Sequence, residues 1–349
     1  MNKRNFLKLG LGSALLPLMT STGQAASPPV SPAAMLAIAL KPGDTVGIVS
    51  PSAAIASRQE ADFAIESMQA LGFRVKSGQH MRSRHGHLAG QDADRAADFN
   101  AMFADPEVKA VICLRGGSGA ARILPLIDYR LVQNNPKVVL GYSDITAIHS
   151  ALHAKTGLVT FHGPNGSSRW PDFNVQQFEQ LFFKRQLLHY QNEQRSEDDL
   201  IVRSNRTSTI FGGKATGKLL GGNLTVLTSL VGTPYLPDFR NAILFVEDIN
   251  EPPYKIDRML STLRLSGALA QIRGFIFGDC ARCEPGGGWG SLTLDDILED
   301  YLLPLQIPAY RGAMIGHIAR QFIVPVGGQV ELDADAGTFR LLQPVLQPA

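Results

Sequence analysis

Cysteine is scarce in this chain of 349 residues, which holds 3 of them. Cys113 falls in an apolar, strand-like run, where a free cysteine behaves as a small buried hydrophobe. Cys280 and Cys283 form a lone C-A-R-C pair, without the second pair or the histidines of a structural zinc site. A local disulfide and two free thiols both fit that pair. Charge is sparse as well: 18% of the residues are charged and the formal net charge is +2. There is no lysine-rich run and no basic platform interleaved with aromatics, so nothing points to nucleic acid. Internal repeats and low-complexity segments are absent from the sequence. What remains, 44% hydrophobic residues over this length, fits an ordinary globular chain of two domains.

The N-terminus differs from the rest. Lys3, Arg4 and Lys8 precede an apolar run from Leu9 to Met19 that is too short to span a bilayer as a helix. Gly23-Gln24-Ala25 then offers a small-x-small cleavage site before Ala26. Residues 1–25 read as a removable signal peptide, with an uncleaved anchor as the alternative. The stretch N-K-R-N-F-L-K resembles a twin-arginine export signal in which Lys3 replaces one arginine, and the general secretory route accepts such a peptide too. No cysteine lies near the cleavage site, so no lipid anchor is expected. The expected product is a periplasmic protein beginning near Ala26, with a loose leader from Ser27 to Pro32 and no stable membrane insertion.

Further on, strands and helices alternate. Apolar runs predict strands at Thr45–Val49, Val108–Leu114, Val138–Leu140 and Leu158–His162. Helices are expected at Arg58–Leu71, with Phe63, Ile65, Met68 and Leu71 at core spacing, at Asp92–Phe103, before Leu124, and from Asp144 to Lys155. This order implies a doubly wound parallel sheet over residues 40–165, an α/β unit whose sites form beyond the carboxyl ends of its strands. Residues 166–207 read as a connection, irregular except for a helix near Val175–Phe183. A smaller mixed α/β, strand-rich unit follows over 208–345, with strands at Ala215–Leu220, Ala242–Glu247 and Gly274–Phe277. Its helices are expected at Asn223–Val231 and Lys255–Leu265.

Ser143 lies between a predicted strand end and a predicted helix start, beside unpaired N–H groups and the positive end of a helix dipole. A nucleophilic serine works there, its oxyanion accepting from the N–H of Asp144. A plain helix cap fits the same stretch, and Ile145 stands where a G-x-S-x-G elbow would have glycine. A base and an orienting acid would decide between the two. Of the 8 histidines, His149 and His153 have the spacing of a metal pair but lack the intervening glutamate and a third ligand. They fit ordinary helix residues better. His162, in F-H-G-P, could line a cleft. His317, read as a strand end behind Gly316, has the exposure a general base needs. Glu247 closes the apolar run Leu244-Phe245-Val246, where a carboxylate is costly unless it accepts hydrogen bonds; a helix-capping carboxylate, or one paired with Arg258, is the structural alternative. Alternation sends Asp248 to the opposite face.

Several separated motifs, in order, resemble the LD-carboxypeptidase family, which includes muramoyl-tetrapeptide carboxypeptidases and microcin C immunity peptidases. They are P-G-D at 42–44, S-P-S at 50–52, R-G-G-S-G at 115–119, G-Y-S-D-I-T-A at 141–147 and F-H-G-P at 161–164. The second half adds G-G-N-L at 221–224, G-T-P-Y at 232–235, F-V-E-D at 245–248, Y-K-I-D-R at 254–258, and G-H at 316–317 ahead of P-V-G at 325–327. The resemblance implies a Ser–Glu–His triad of Ser143, Glu247 and His317 working without metal or cofactor. It also implies an oxyanion hole from the N–H of Asp144 and one of Gly116 or Gly117. Ser118 stands where the family usually has tyrosine, and Asn165 where it has a methionine-like residue, so the substrate pocket is expected to differ. The implied substrate is a peptidoglycan stem tetrapeptide, cut between a diamino acid and the terminal D-alanine. Arg115, with Ser118 and His162, is the candidate to bind it, Arg115 at the D-alanine carboxylate, with a surface or interdomain salt bridge as the alternative for Arg115. Relatives form dimers, so the resemblance implies a homodimer here, for which the sequence carries no interface signal of its own. Two other readings stay open: a serine peptidase or amidase acting on a peptide antibiotic, and a non-catalytic muropeptide-binding protein.

Overall fold

The structure is a computed structural model that describes residues 34–194, 200–201, 204–286 and 290–349. The expected signal peptide, 1–25, lies outside them. Among the described residues no helix is long and apolar enough to cross a membrane.

Thr45–Val49 (β1), Arg74–Ser77 (β2), Val108–Cys113 (β3), Val138–Gly141 (β4) and Thr160–His162 (β5) pair in parallel in the spatial order β5-β4-β3-β1-β2. β1 and β4 are buried along their whole length, as expected for parallel strands with both faces covered. β2 had no signal in the sequence. It is an edge strand whose Arg74 and Ser77 face solvent, so it lacks the apolar run that reveals a central strand. The helix Arg58–Ala70 buries Ala61, Ala64 and Met68. Phe63, expected in the core, is 53% exposed, while Ile65 and Leu71 are only partly buried. Alanines at the contact let the helix lie close to the sheet, and a phenylalanine there would hold it away. The helix expected before Leu124 is a 3-10 segment, Ala120–Leu126, with Pro125 inside it.

Further strands are His189–Tyr190 (β6), Ser208–Phe211 (β7), Lys214–Asn223 (β8), Ile243–Ile249 (β9), Gly274–Ala281 (β10), Ala309–Arg311 (β11), Val324–Val326 (β12), Gln329–Asp333 (β13) and Thr338–Leu341 (β14). Eight of them form a second sheet in the order β6-β14-β13-β8-β9-β10-β11-β7. Its centre, β8 to β11, is parallel, and its flanks are antiparallel. β12 leaves this sheet and pairs antiparallel with β5, becoming the sixth strand of the first. The fold is therefore α/β, a helix-covered parallel sheet joined to a mixed, strand-rich one. Cys280 and Cys283 are joined as a disulfide, and Cys113 is buried and free.

Two contacts bring the sheets together around one point. At the end of β8 the N–H of Asn223 donates to Thr146 Oγ1 at 2.8 Å, in the first turn of the helix Thr146–Thr156. The connecting segment supplies the second, through its helix Asp172–Phe178. There Asn174 donates to the carbonyl of Ala319 and accepts from the N–H of Gln321. Gln177 does the same with the carbonyl of Gln321 and the N–H of Ile323. These two amides stand in for missing strand partners.

His149 and His153 are buried on the helix Thr146–Thr156. His149 Nε2–H donates to the carbonyl of Gly141 at 2.8 Å. No cluster of His, Cys, Asp or Glu able to hold a metal is found among the described residues. Burial lowers both imidazoles from 6.5 to about 4. Between those values the unfolded chain binds protons that the folded one refuses, so stability is full above pH 6.5 and falls as the pH drops toward 4. The melting temperature should decline across that window, and less steeply in a His153→Gln variant. Equal slopes in the two proteins would remove His153 from the account.

Candidate active site

β4 ends at Gly141, and two residues later the backbone of Ser143 takes φ 66° before a 3-10 turn, Ser143–Ile145, leads into the helix. A non-glycine residue in this left-handed region stores strain of about 1–3 kcal/mol and is held there by its surroundings. The result is a sharp strand-to-helix elbow that lifts the side chain off the sheet. Ser143 caps nothing: neither the turn nor the helix has a side-chain cap. Its hydroxyl instead lies 3.1 Å from His317 Nε2. The backbone of Gly116 packs so closely here that a Cβ on it would stand 2.8 Å from that of Ser143.

His317 is not at a strand end. It sits in the irregular stretch between β11 and β12, held by the amides of Asn174 and Gln177. Its Nδ1–H donates to Glu247 Oε2 at 2.7 Å. Glu247 lies inside β9 with no exposed surface, and Arg258 is not its partner. Gly316, at φ 123°, makes the contact possible, since a Cβ there would come within 2.8 Å of Glu247 Oε2. Asp248 points the other way, as alternation requires, and accepts from Asn223, Thr225 and Ile249. Residues 174 and 70 positions apart along the chain thus meet in one hydrogen-bonded line, Ser143–His317–Glu247. With Nδ1 protonated and held by the carboxylate, Nε2 is free to accept the serine proton, the arrangement acyl transfer needs.

The loops beside Ser143 are pinned from below. The Asp144 carboxylate accepts from Ser52 Oγ at 2.5 Å and from the N–H of Ala120 at 2.7 Å. Arg95, fully buried, donates to the carbonyls of Pro51 at 2.5 Å and Gly119 at 3.0 Å. Gly116 and Gly117, just ahead of the anchored Gly119 and Ala120, keep their N–H groups free of any hydrogen-bond partner among the described residues. Arg115 is half-exposed, donates to the carbonyl of Ala54 and lies 3.5 Å from Glu60, so it is already engaged. Ser118 is exposed. His162 lines no cleft: it has no exposed surface, and Tyr142, His149 and Phe245 pack around its ring. Asn165 is buried as well and accepts from the N–H of Tyr142 at 3.1 Å, so it supports the elbow instead of facing substrate.

Comparison with known proteins agrees with this geometry. The N-terminal domain of the LD-carboxypeptidase family matches residues 46–163 and its C-terminal domain residues 216–332. The chain belongs to the LD-carboxypeptidase family. A Bacillus subtilis protein named "Probable murein peptide carboxypeptidase" is 42% identical over 295 residues, covering 84% of this chain and 90% of that one. The solved structure of the microcin C7 self-immunity protein MccF without ligand superposes with a TM-score of 0.82 at 27% identity, covering 90% of this chain and 100% of that chain. That of the muramoyltetrapeptide carboxypeptidase from Oxalobacter formigenes gives 0.73 at 28% identity, covering 85% and 97%. This chain is accordingly an enzyme, a serine-type peptidase of that family.

Three features of this site carry little signal in the sequence: the Asp144 carboxylate, Arg95, and the amides of Asn174 and Gln177. An arginine inside the acidic first turn of the helix Asp92–Ala104 was the one available sign, because a cation there opposes the helix dipole unless something else holds it. Gly316→Ala tests the Glu247–His317 contact. It should lower kcat at least about ten-fold with a smaller effect on KM, since both the clash and the φ displace the pair. Unchanged kcat would mean the contact is dispensable.

Proposed function

We propose that this enzyme removes the terminal D-alanine from peptidoglycan stem tetrapeptides, with Ser143 as nucleophile, His317 as general base and then acid, and Glu247 as the orienting carboxylate. The single observation that carries the reading is the continuous line of hydrogen bonds from Ser143 Oγ through both nitrogens of His317 to Glu247. Ser143 Oγ attacks the carbonyl of the diamino acid while Nε2 takes its proton. The oxyanion accepts from the N–H of Asp144 and from Gly116 or Gly117, whose donors are unspent. The tetrahedral intermediate collapses, His317 returns the proton to the amine of D-alanine, and an acyl-enzyme remains. Water, deprotonated by the same nitrogen, frees the tripeptide. Glu247 keeps the imidazole in the tautomer that presents a bare Nε2 and stabilises the imidazolium as it forms.

The substrate class is supported by the named activity of the Bacillus subtilis and Oxalobacter formigenes relatives. Residues 1–25, with their charged start and apolar middle, support a periplasmic site of action on the wall or its fragments. Arg115 is left as the cation nearest the oxyanion loop for the D-alanine carboxylate, if it releases Glu60 when substrate arrives.

Purified enzyme and a Ser143→Ala variant should be incubated with disaccharide-tetrapeptide and D-alanine followed by mass spectrometry. The parent should release it, and the variant should lose about 10⁴-fold or more while melting at a similar temperature. Release by both proteins would end the role of Ser143. Release by neither would turn attention to peptide-antibiotic substrates.

A further inference from the structure

We propose that Asp279 binds the free side-chain ammonium of the diamino acid, so that the enzyme selects stem peptides that are not crosslinked. This rests on the substrate reading given above and deepens it. Asp279 stands near the carboxyl end of β10, whose parallel neighbour β9 carries Glu247. The pairing register shifts between Phe277 and Cys280, and an irregularity of this kind re-aims a side chain. At that point the Asp279 N–H leaves the ladder and donates to the carbonyl of Ile315 at 2.8 Å, two residues before His317. The Cys280–Cys283 disulfide ties the turn that follows.

The residue helps line a cavity of about 570 Å³ together with Met314, Ile318, Arg206 and Arg311. Gly278, which also lines it, packs against Glu247 so closely that a Cβ on it would stand 3.2 Å from that of Glu247, and Ile318 follows His317 in the chain, so this space lies beside the Ser143–His317–Glu247 line. The residue on the acyl side of the scissile bond is the diamino acid, and its side chain must enter a space that flanks the triad. The other acids around the site are engaged: Glu247 holds His317, Asp144 holds Ser52 and Ala120, and Asp248 holds Asn223 and Thr225. Asp279 has no hydrogen-bond or ion-pair partner for its carboxylate among the described residues. Burial raises its carboxyl above the ordinary value and the charge of His317 acts the other way. A half-buried carboxylate without a partner is unfavourable, and a bound ammonium offsets that cost. Arg311 is already paired with Asp295, and Arg206 could meet a carboxylate carried beside that ammonium.

Crosslinking of the wall acylates this amine. The amide nitrogen carries no charge, so a crosslinked peptide leaves Asp279 unpaired and is rejected.

The test measures kcat/KM for D-alanine release from two disaccharide-tetrapeptides, one with the side-chain amine free and one with it acetylated. Parent, Asp279→Asn and Asp279→Ser are compared. Acetylation should cost the parent about ten-fold or more, chiefly in KM, and Asp279→Asn should lose a similar factor on the free-amine peptide alone. On the acetylated peptide parent and variants should agree. Equal losses on both peptides would overturn the proposal, because they would mark damage to the fold or to His317. A parent indifferent to acetylation would overturn it too. Absence of D-alanine release by the parent from either peptide would strike the stem-peptide reading itself and take this inference with it.

Discussion

Glu247 carries a carboxylate on a central strand of the second sheet and has no contact with solvent. Removing such a group from water costs several kcal/mol, so the chain around it has to supply a partner and keep that partner fixed. One oxygen is met by His317 Nδ1–H, and the other has no hydrogen-bond partner among the described residues. That leaves a single strong interaction to hold the carboxylate, and much of the local backbone follows from it. The 313–317 segment must press close to β9, a glycine must stand at 316, and the imidazole must face outward with Nε2 toward the other sheet. A site held this way has its tautomer chosen before substrate arrives.

The second requirement is that the sheet carrying Ser143 stays in register with the one carrying Glu247. The structure meets it with polar bonds that each replace a missing backbone partner. Asn223 reaches Thr146 directly behind the serine elbow, and Asn174 with Gln177 captures the strand-like segment after His317. β12 then crosses to the edge of the first sheet, so the stretch that carries His317 is anchored on both sides. Because all of these bonds are buried or half-buried, losing one partner leaves the other unsatisfied, at about 1–3 kcal/mol each. Positioning of the triad and stability of the fold are therefore one problem here.

How much of this could be read from residues alone follows from which features are local. β4 and its glycine announce themselves as an apolar run and a turn, and β9 does the same, so Ser143 and Glu247 fall where pattern places them. The opposite facing of Asp248 needs only strand geometry. The left-handed backbone of Ser143 is invisible in the sequence, because a serine before a helix is normally a cap; here its hydroxyl is claimed by a histidine far along the chain. The glycine before His317 suggests a strand end, yet tertiary bonds alone fix the residue. Phe63 misled because helical spacing gives a face but not which residues of it touch the sheet. His162 misled because a histidine closing a strand can as easily lie under the elbow as beside it.

The same division bears on where specificity resides. Both departures from the family pattern suggest an altered substrate pocket, but Asn165 turns inward and braces Tyr142, while Ser118 stands at the surface of a loop pinned just after it, at Gly119 by Arg95 and at Ala120 by Asp144. The first sheet thus contributes a serine with strained backbone and a pair of glycine N–H groups without hydrogen-bond partners among the described residues. Beside the Ser143–His317–Glu247 line, at the carboxyl ends of β10 and β11, the chain leaves its ladder, carries a disulfide and presents Asp279, an acid without a partner among the described residues. Rigid elements hold the hydrogen-bonded line, and in the reading proposed above the irregular ends of the neighbouring strands choose the peptide.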